Sequence, residues 1–313
     1  MIASYDDERY LGEALRSVLA QDPGPELMQI EVVDDASNSD PTPLVRALCG
    51  ERVAVHRMPA NKGHVSTLNT CVERARGAYV HLLHADDVVR DGFYARLGSA
   101  LDAHPEVGAA FCRYIAMDEF GNWTSIASLE QPTAGVLEGW QEQLATGQRL
   151  QAPCIVVRKR VYDAIGGFDS RFRSYGEDWE MWTRIAASYP MWYEPEPLAV
   201  YRLGTGSLSS FALRTGDNVR QLLQVIEINR ERLPAARAEE LTAAARRVTA
   251  TTAIRRGVRL GRHGDLTGAA AQLRWSMRAD PSPRTAALAL VGLARAVAES
   301  AHARRRSKPE SSQ

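Results

Sequence analysis

Between Asp6 and Gln21 the apolar residues Tyr10, Leu11, Ala14, Leu15, Val18 and Leu19 recur at helical spacing, which predicts an amphipathic helix with Asp6 or Asp7 as its N-cap. The stretch MQIEVVDDAS then reads as a short buried strand that closes on Asp34, Asp35 and a Ser/Asn turn. PLVRALC predicts a second short helix and RVAVHRM a strand. NKGHVSTLNTCVERARG is a glycine turn leading into a helix, with Gly77 as its expected C′ residue. AYVHLLHADD is the next strand and DGFYARLGSALDAHP the next helix. This alternation on short connections predicts an α/β fold, a mostly parallel sheet flanked by helices.

Further on, VGAAFCRYIAMDEFGN predicts a strand and a turn, whereas residues 120–150 carry no clear period. APCIVVRKRVYDAIGGFD reads as a strand, a short helix and a glycine turn. YGEDWEMWTRIAAS opens a helix that places Trp179, Trp182, Ile185 and Ala186 on one face and Glu177 and Asp178 at its start. From about Ala212 the chain becomes helical throughout, and strand signals stop. GRHGDLTGAAAQLRWSMRADP resembles a single tetratricopeptide-type repeat. The expected organisation is an α/β domain over 1–211, a helical extension over 212–300 and a basic disordered tail over 301–313.

Net charge is zero over 313 residues, but it is unevenly spread. Residues 220–313 hold 18 Lys and Arg against 8 Asp and Glu, and the rest of the chain carries the matching acidic excess. An acidic catalytic or binding unit followed by a basic appendage is the implied arrangement. The basic part lacks interleaved aromatics apart from Trp275 and shows no recognition motif, which argues against nucleic acid. Contact with anionic lipid or a partner protein is the alternative to a merely solvated bundle. Four scattered cysteines without a CxxC pair fit a reducing cytoplasm and neither a disulfide framework nor a zinc cluster. No secretory signal and no apolar run long enough for a membrane span is visible.

In parallel sheets, ligands collect at the carboxyl ends of the strands. Two predicted strands end there in paired acids, Asp34-Asp35 and Asp86-Asp87, so that edge is the candidate site. Adjacent carboxylates repel and cost more when buried, so a metal ion or plain solvation must offset them.

Taken in order, ASYDDERYLGEALRSVLAQ, IEVVDDAS, NKGHVSTLNTCVERARGAYVHLLHADD, GGFD, GEDWEMWTRIA and YRLGTGSLS resemble the motifs of a family 2 glycosyltransferase of the GT-A fold, over roughly residues 3–210. The resemblance implies an inverting enzyme that moves a sugar from a UDP- or dTDP-sugar donor to an acceptor hydroxyl. A lipid-linked glycan or a polysaccharide is the typical acceptor. It implies a divalent cofactor, Mn²⁺ or Mg²⁺, held by Asp87 and Asp86, with Asp86 also near the donor ribose. Here the motif departs from the family form, because His84 stands at the first acidic position. Asp178 is the implied base, with helix capping as its plainer role. The helix N-terminus is expected to keep it ionised.

Ala3, Tyr5 and Asp35 are implied nucleotide contacts. Tyr5 stacks on the base or packs internally, and Asp35 accepts from the base imide. Asn61, Gly63 and Asn69 shape the loop beneath the donor, or serve as turn and helix packing. Arg202, with Ser207, falls in a loop that closes over the diphosphate. Gly167, Glu177 and Trp179 lie on the acceptor side, Trp179 as a sugar platform or a core aromatic and Glu177 as a supporting partner. The first strand of the family should precede Ala3, where only Met1 and Ile2 stand, so a missing central strand and a shortened start are expected. That would favour a non-catalytic nucleotide-sugar-binding or scaffold protein. A nucleotidyltransferase would need a phosphate loop rich in glycine and lysine, which ASYDDERYL is not.

Overall fold

The computed structural model describes residues 1–204 and 208–306. They divide into two units. The first comprises Met1–Gln141, Gln148–Arg173 and Glu177–Gly204, and the second Glu142–Gly147, Ser174–Gly176 and the described residues from Leu208 on.

In the first unit, short β-branched runs build a four-stranded parallel sheet. Its strands are β1 (Ile2–Ser4), β2 (Glu31–Asp34), β3 (Ala54–Arg57) and part of the AYVHLLHADD segment. That segment is not one strand. It splits at Leu82 into β4 (Tyr79–His81) and β5 (Leu83–His84), and the order of the parallel sheet is β3-β2-β1-β5. The central strand expected to be missing is therefore present. Ile2–Ser4 suffice because the neighbouring strands are equally short, and β1 pairs with Val32–Asp34 on one side and Leu83–His84 on the other. Ile2, Val32, Val33 and Leu83 are buried in this sheet. Each contributes about 1.5–3 kcal/mol through burial.

A second, seven-stranded sheet is mixed and mainly antiparallel. It takes β4, β6 (Val88–Val89), β7 (Ala109–Asp118), β8 (Trp123–Ile126), β9 (Gly135–Val136), β10 (Ile155–Arg158) and β11 (Met191–Leu203). The parallel description thus holds for the first sheet alone. β11 runs parallel to β7, with register shifts around Pro195 and Pro197, whose missing N–H groups cannot serve a ladder. Beyond these shifts the pairing brings Arg202 next to the turn that follows β5.

The helices of this unit are α1 (Glu8–Leu19), α2 (Thr42–Cys49), α3 (His64–Arg74) and α4 (Phe93–Ala103), followed by α5 (Trp140–Ala145), which runs into the second unit, α6 (Lys159–Ile165) and α7 (Glu177–Ala186). α1 turns Leu11, Ala14, Leu15 and Val18 inward, as its spacing predicts. α3 does not end on a left-handed Gly77. It stops at Arg74, because Ala75 is already extended toward β4.

The second unit adds α8 (Leu208–Thr215), α9 (Asp217–Arg230), α10 (Ala238–Arg262), α11 (Leu266–Ala279) and α12 (Pro283–Arg306). Small residues let these helices approach closely: Val219, Ala250, Ala253 and Ala279 form one buried cluster. Asp265 caps α11 by accepting from the Gly268 N–H at 2.8 Å. Of the expected tail, residues 301–306 continue α12, and residues 307–313, like Ser207, lie outside the described residues. Among the described residues no helix is long and apolar enough to cross a membrane.

Candidate active site

The carboxyl ends of three adjacent parallel strands, β2, β1 and β5, deliver Asp34-Asp35, Asp6-Asp7 and Asp86-Asp87 to one edge. Asp87 is fully buried. Its Oδ1 accepts from the Arg202 backbone N–H at 2.8 Å, while Oδ2, also buried, has no hydrogen-bond partner. His84 Nδ1 stands 3.7 Å from that oxygen, and His84 Nε2 is buried without a partner. One ligand atom each of His84, Asp86 and Asp87 lie within 4.8 Å of one another. Burial pushes the Asp86 carboxyl up, and burial plus the Asp86 charge pushes Asp87 well above the carboxylate range. Asp7, which makes no side-chain cap bond, is raised to about 6 by burial and then by Asp86. Burial takes His84 down to about 3, so its imidazole is neutral and keeps a bare nitrogen. A buried, orphaned carboxylate oxygen beside a second acid and a neutral imidazole is the donor set a divalent cation requires. These residues fit a metal.

Arg202 is not a loop residue reaching for a diphosphate. It lies in β11, 4% exposed, with Nε on the Asp86 carbonyl (2.9 Å), Nη2 on Glu13 (2.6 Å) and Nη1 toward the Asp118 carbonyl (3.4 Å). Its guanidinium also lies 4.3 Å from the centroid of the Tyr10 ring. Every arm is committed, so its role is to clamp the Asp86-Asp87 turn.

At the other side of the edge, α7 begins with Glu177 and Asp178. Asp178 Oδ1 accepts from the Trp179 N–H at 2.7 Å and Oδ2 from Gln148 Nε2 at 2.6 Å. Despite the helix N-terminus, burial and then the Glu177 charge raise Asp178 to about 7, which corrects the expectation that it stays firmly ionised. Glu177 is buried and pairs through Oε1 with His64 Nε2 at 3.2 Å. Burial alone would discharge His64. The Glu177 hydrogen bond and charge, followed by Asp178 and Asp86, instead leave it raised. The His64 ring meets His84 edge-on, with centroids 4.9 Å apart. A histidine to which sequence reasoning gave no role thus spans the acid pair of α7 and the acid pair after β5. Gln148 was missed in the same way. Neither carries a local signal, because the partners lie far away in the chain.

The nucleotide-side residues separate into two groups. Both Asp35 oxygens accept backbone N–H groups, from Lys62 and Gly63, each at 2.8 Å. Asn61 Oδ1 takes a second share of the Gly63 N–H at 3.1 Å. Asp35, Asn61 and Gly63, whose φ of 87° suits glycine, together fix the entry to α3. Asp34 serves its own turn through Ser37 and Arg57. Ala3 is buried within β1, and its carbonyl accepts from Ala85. Tyr5 is 42% exposed. Asp6 ties the first loop to the second by accepting from both the backbone and side-chain N–H groups of Asn38.

On the expected acceptor side, Trp179 is 1% exposed, so its ring has no face for a sugar and belongs to the core. Asn69 holds the GGFD turn. Its Oδ1 accepts from the Phe168 N–H at 2.7 Å and its Nδ2 donates to the Phe168 carbonyl at 3.0 Å. A Cβ on Gly167 would come within 3.1 Å of Asn69 Cγ and closer still to Oδ1. Gly167→Ala is therefore expected to cost about 1–3 kcal/mol of unfolding free energy in urea titrations. An unchanged midpoint would show that Asn69 yields freely.

Comparison with known proteins gives this edge a family. The chain is 26% identical over 238 residues, 70% of each chain, to the uncharacterized protein MT1568 of Mycobacterium tuberculosis (strain CDC 1551 / Oshkosh). It is similar in structure to S. aureus TarS 1-349 in complex with UDP-GlcNAc, at a TM-score of 0.68 and 16% identity, over 98% of this chain and 91% of that one. It also resembles the mannosyltransferase PcManGT from Pyrobaculum calidifontis in complex with GDP-Man and Mn²⁺, at a TM-score of 0.59 and 18% identity, over 98% and 86% of the two chains. These likenesses make the fold that of the GT-A glycosyltransferases. The family model described as Glycosyltransferase like family 2 matches residues 140–226. The model described as Glycosyl transferase family 2 matches residues 1–166, from the first strand of the parallel sheet past the acid cluster, and with more than half of its length so matched the chain belongs to that family.

Proposed function

We propose that the protein is an inverting transferase acting on a UDP- or dTDP-sugar, with Asp178 as its base. The observation that carries this reading is the orphaned, buried Asp87 oxygen beside Asp86 and His84, on the edge that also holds Asp178 through the Glu177–His64 pair. A divalent ion bound at Asp86 and Asp87 would supply Lewis-acid stabilisation of the charge that grows on the leaving diphosphate. Asp178 takes the proton of the acceptor hydroxyl as that oxygen bonds to the anomeric carbon and the bond to the diphosphate breaks on the opposite face. The Gln148 amide and the Trp179 N–H hold the carboxylate in place, and its raised proton affinity suits it to act near neutral pH. Tyr5, partly exposed, stacks on the base, and Asp35 positions the Asn61–Gly63 loop beside it.

The acceptor in this reading is a lipid-linked glycan or a polysaccharide. The basic second unit meets an anionic membrane face on the cytoplasmic side, where α12 exposes Leu290, Val291 and Val297. A thermal-shift panel of UDP-, dTDP- and GDP-sugars with and without Mn²⁺ tests the donor. Stabilisation of about 2.7 kcal/mol is expected at a hundredfold excess over Kd, for a uracil or thymine nucleotide sugar and only with metal present. A shift confined to a GDP-sugar would overturn the base assignment, and an EDTA-resistant shift the metal site.

A further inference from the structure

The imidazole of His84 stands where a third carboxylate would make an all-oxygen site. We infer that His84 is a nitrogen ligand of the metal and sets its selectivity, turning the site away from Mg²⁺ and toward Mn²⁺ and later first-row ions; this rests on the metal-dependent reading above.

The geometry carries the inference in three steps. His84 Nδ1 lies 3.7 Å from Asp87 Oδ2, too long for a hydrogen bond. That gap is close to the roughly 3–3.5 Å between two ligand atoms that share one ion at bond lengths of 2.0–2.2 Å. The oxygen that Nδ1 faces, Asp87 Oδ2, is buried without a hydrogen-bond partner, and the other ring nitrogen, Nε2, is buried and unbonded as well. Finally, the ring packs edge-on against that of His64, with centroids 4.9 Å apart, and His64 is itself committed to Glu177. His84 is therefore positioned to face the acid pair and does not swing freely.

The chemistry then follows from ligand type. Mg²⁺ favours oxygen ligands in near-ideal octahedral geometry, and imidazole is a ligand for transition ions. One nitrogen with two carboxylates thus discriminates against Mg²⁺ and Ca²⁺, whereas an acid at position 84 would not.

Electron spin-echo spectroscopy of the Mn²⁺-loaded full-length protein reads the ligand directly, through ¹⁴N modulation of the Mn²⁺ signal. The wild type is expected to show the modulation, His84→Asp to bind Mn²⁺ without it, and His64→Gln to retain it. Titration calorimetry should show the Mn²⁺-over-Mg²⁺ affinity ratio falling about tenfold or more in His84→Asp. Mn²⁺ bound to the wild type without ¹⁴N modulation would overturn the inference and leave the carboxylate site standing. Failure of the wild type to bind Mn²⁺ at all would remove both. The wild-type spectrum decides the matter even if a variant fails to fold.

Discussion

Asp178→Asn is expected to lower the turnover of sugar transfer by about 10²–10⁴-fold, the usual share of a positioned general base, while donor binding stays within about twofold. The change is isosteric and keeps the Trp179 N–H bond, so the donor side has no reason to move. The proton acceptor is lost, and the Gln148 amide must turn its oxygen toward the new NH2 to keep its own bond. With burial and Glu177 raising Asp178 to about 7, the wild-type rate should fall as pH drops through that value and level off above it. The effect on stability has the opposite sign. A carboxyl whose folded pKa lies above its unfolded one favours folding when protonated, so stability falls as pH rises from the ordinary carboxylate range to about 7, and above that the full cost of ionised Asp178 is present. Asp178→Asn should therefore melt higher than the wild type at pH 8. Retained turnover would place the base elsewhere, and an unchanged melting point would show that Asp178 is not the buried, raised acid described.

Arg202→Met should cost about 2–4 kcal/mol of stability, from the Asp86 carbonyl left without a donor and an acid pair left without the Arg202 charge. The Glu13 arm adds little, because that carboxylate is half exposed. Urea unfolding measures the loss. Were Arg202 a diphosphate contact, as its place in the motif implied, donor affinity would fall while stability held. The clamp predicts the reverse order, with stability lost first and metal affinity lost along with it as the Asp86-Asp87 turn loosens.

Much of this site was legible because its signals are local. The paired acids after two strands, and Glu177-Asp178 at a helix start, are read from neighbouring residues, and the strand edge that collects ligands follows from alternation alone. The errors have one origin. Trp179 stood between a sugar platform and a core aromatic, because spacing gives its helix face but not what packs on it, and here it is the core. Arg202 was assigned by its motif, while β11 turned it inward after the shifts at Pro195 and Pro197. AYVHLLHADD reads as one strand, because the sequence contains no mark at Leu82 where the chain passes from one sheet to the other.

By itself, then, the sequence determined the order of elements, the acid-bearing edge and the family, because helical period, strand patterning and adjacent acids act over a few residues. Only the tertiary structure decided which partners those acids keep. Gln148 reaches Asp178 across 30 positions, and Arg202 reaches Asp87 across 115. His64 meets both Glu177 and His84 through packing alone. Burial then raised Asp178, orphaned Asp87 and left His84 neutral beside it, because desolvation depends on how much of the fold covers a group and is written in no short stretch of the chain.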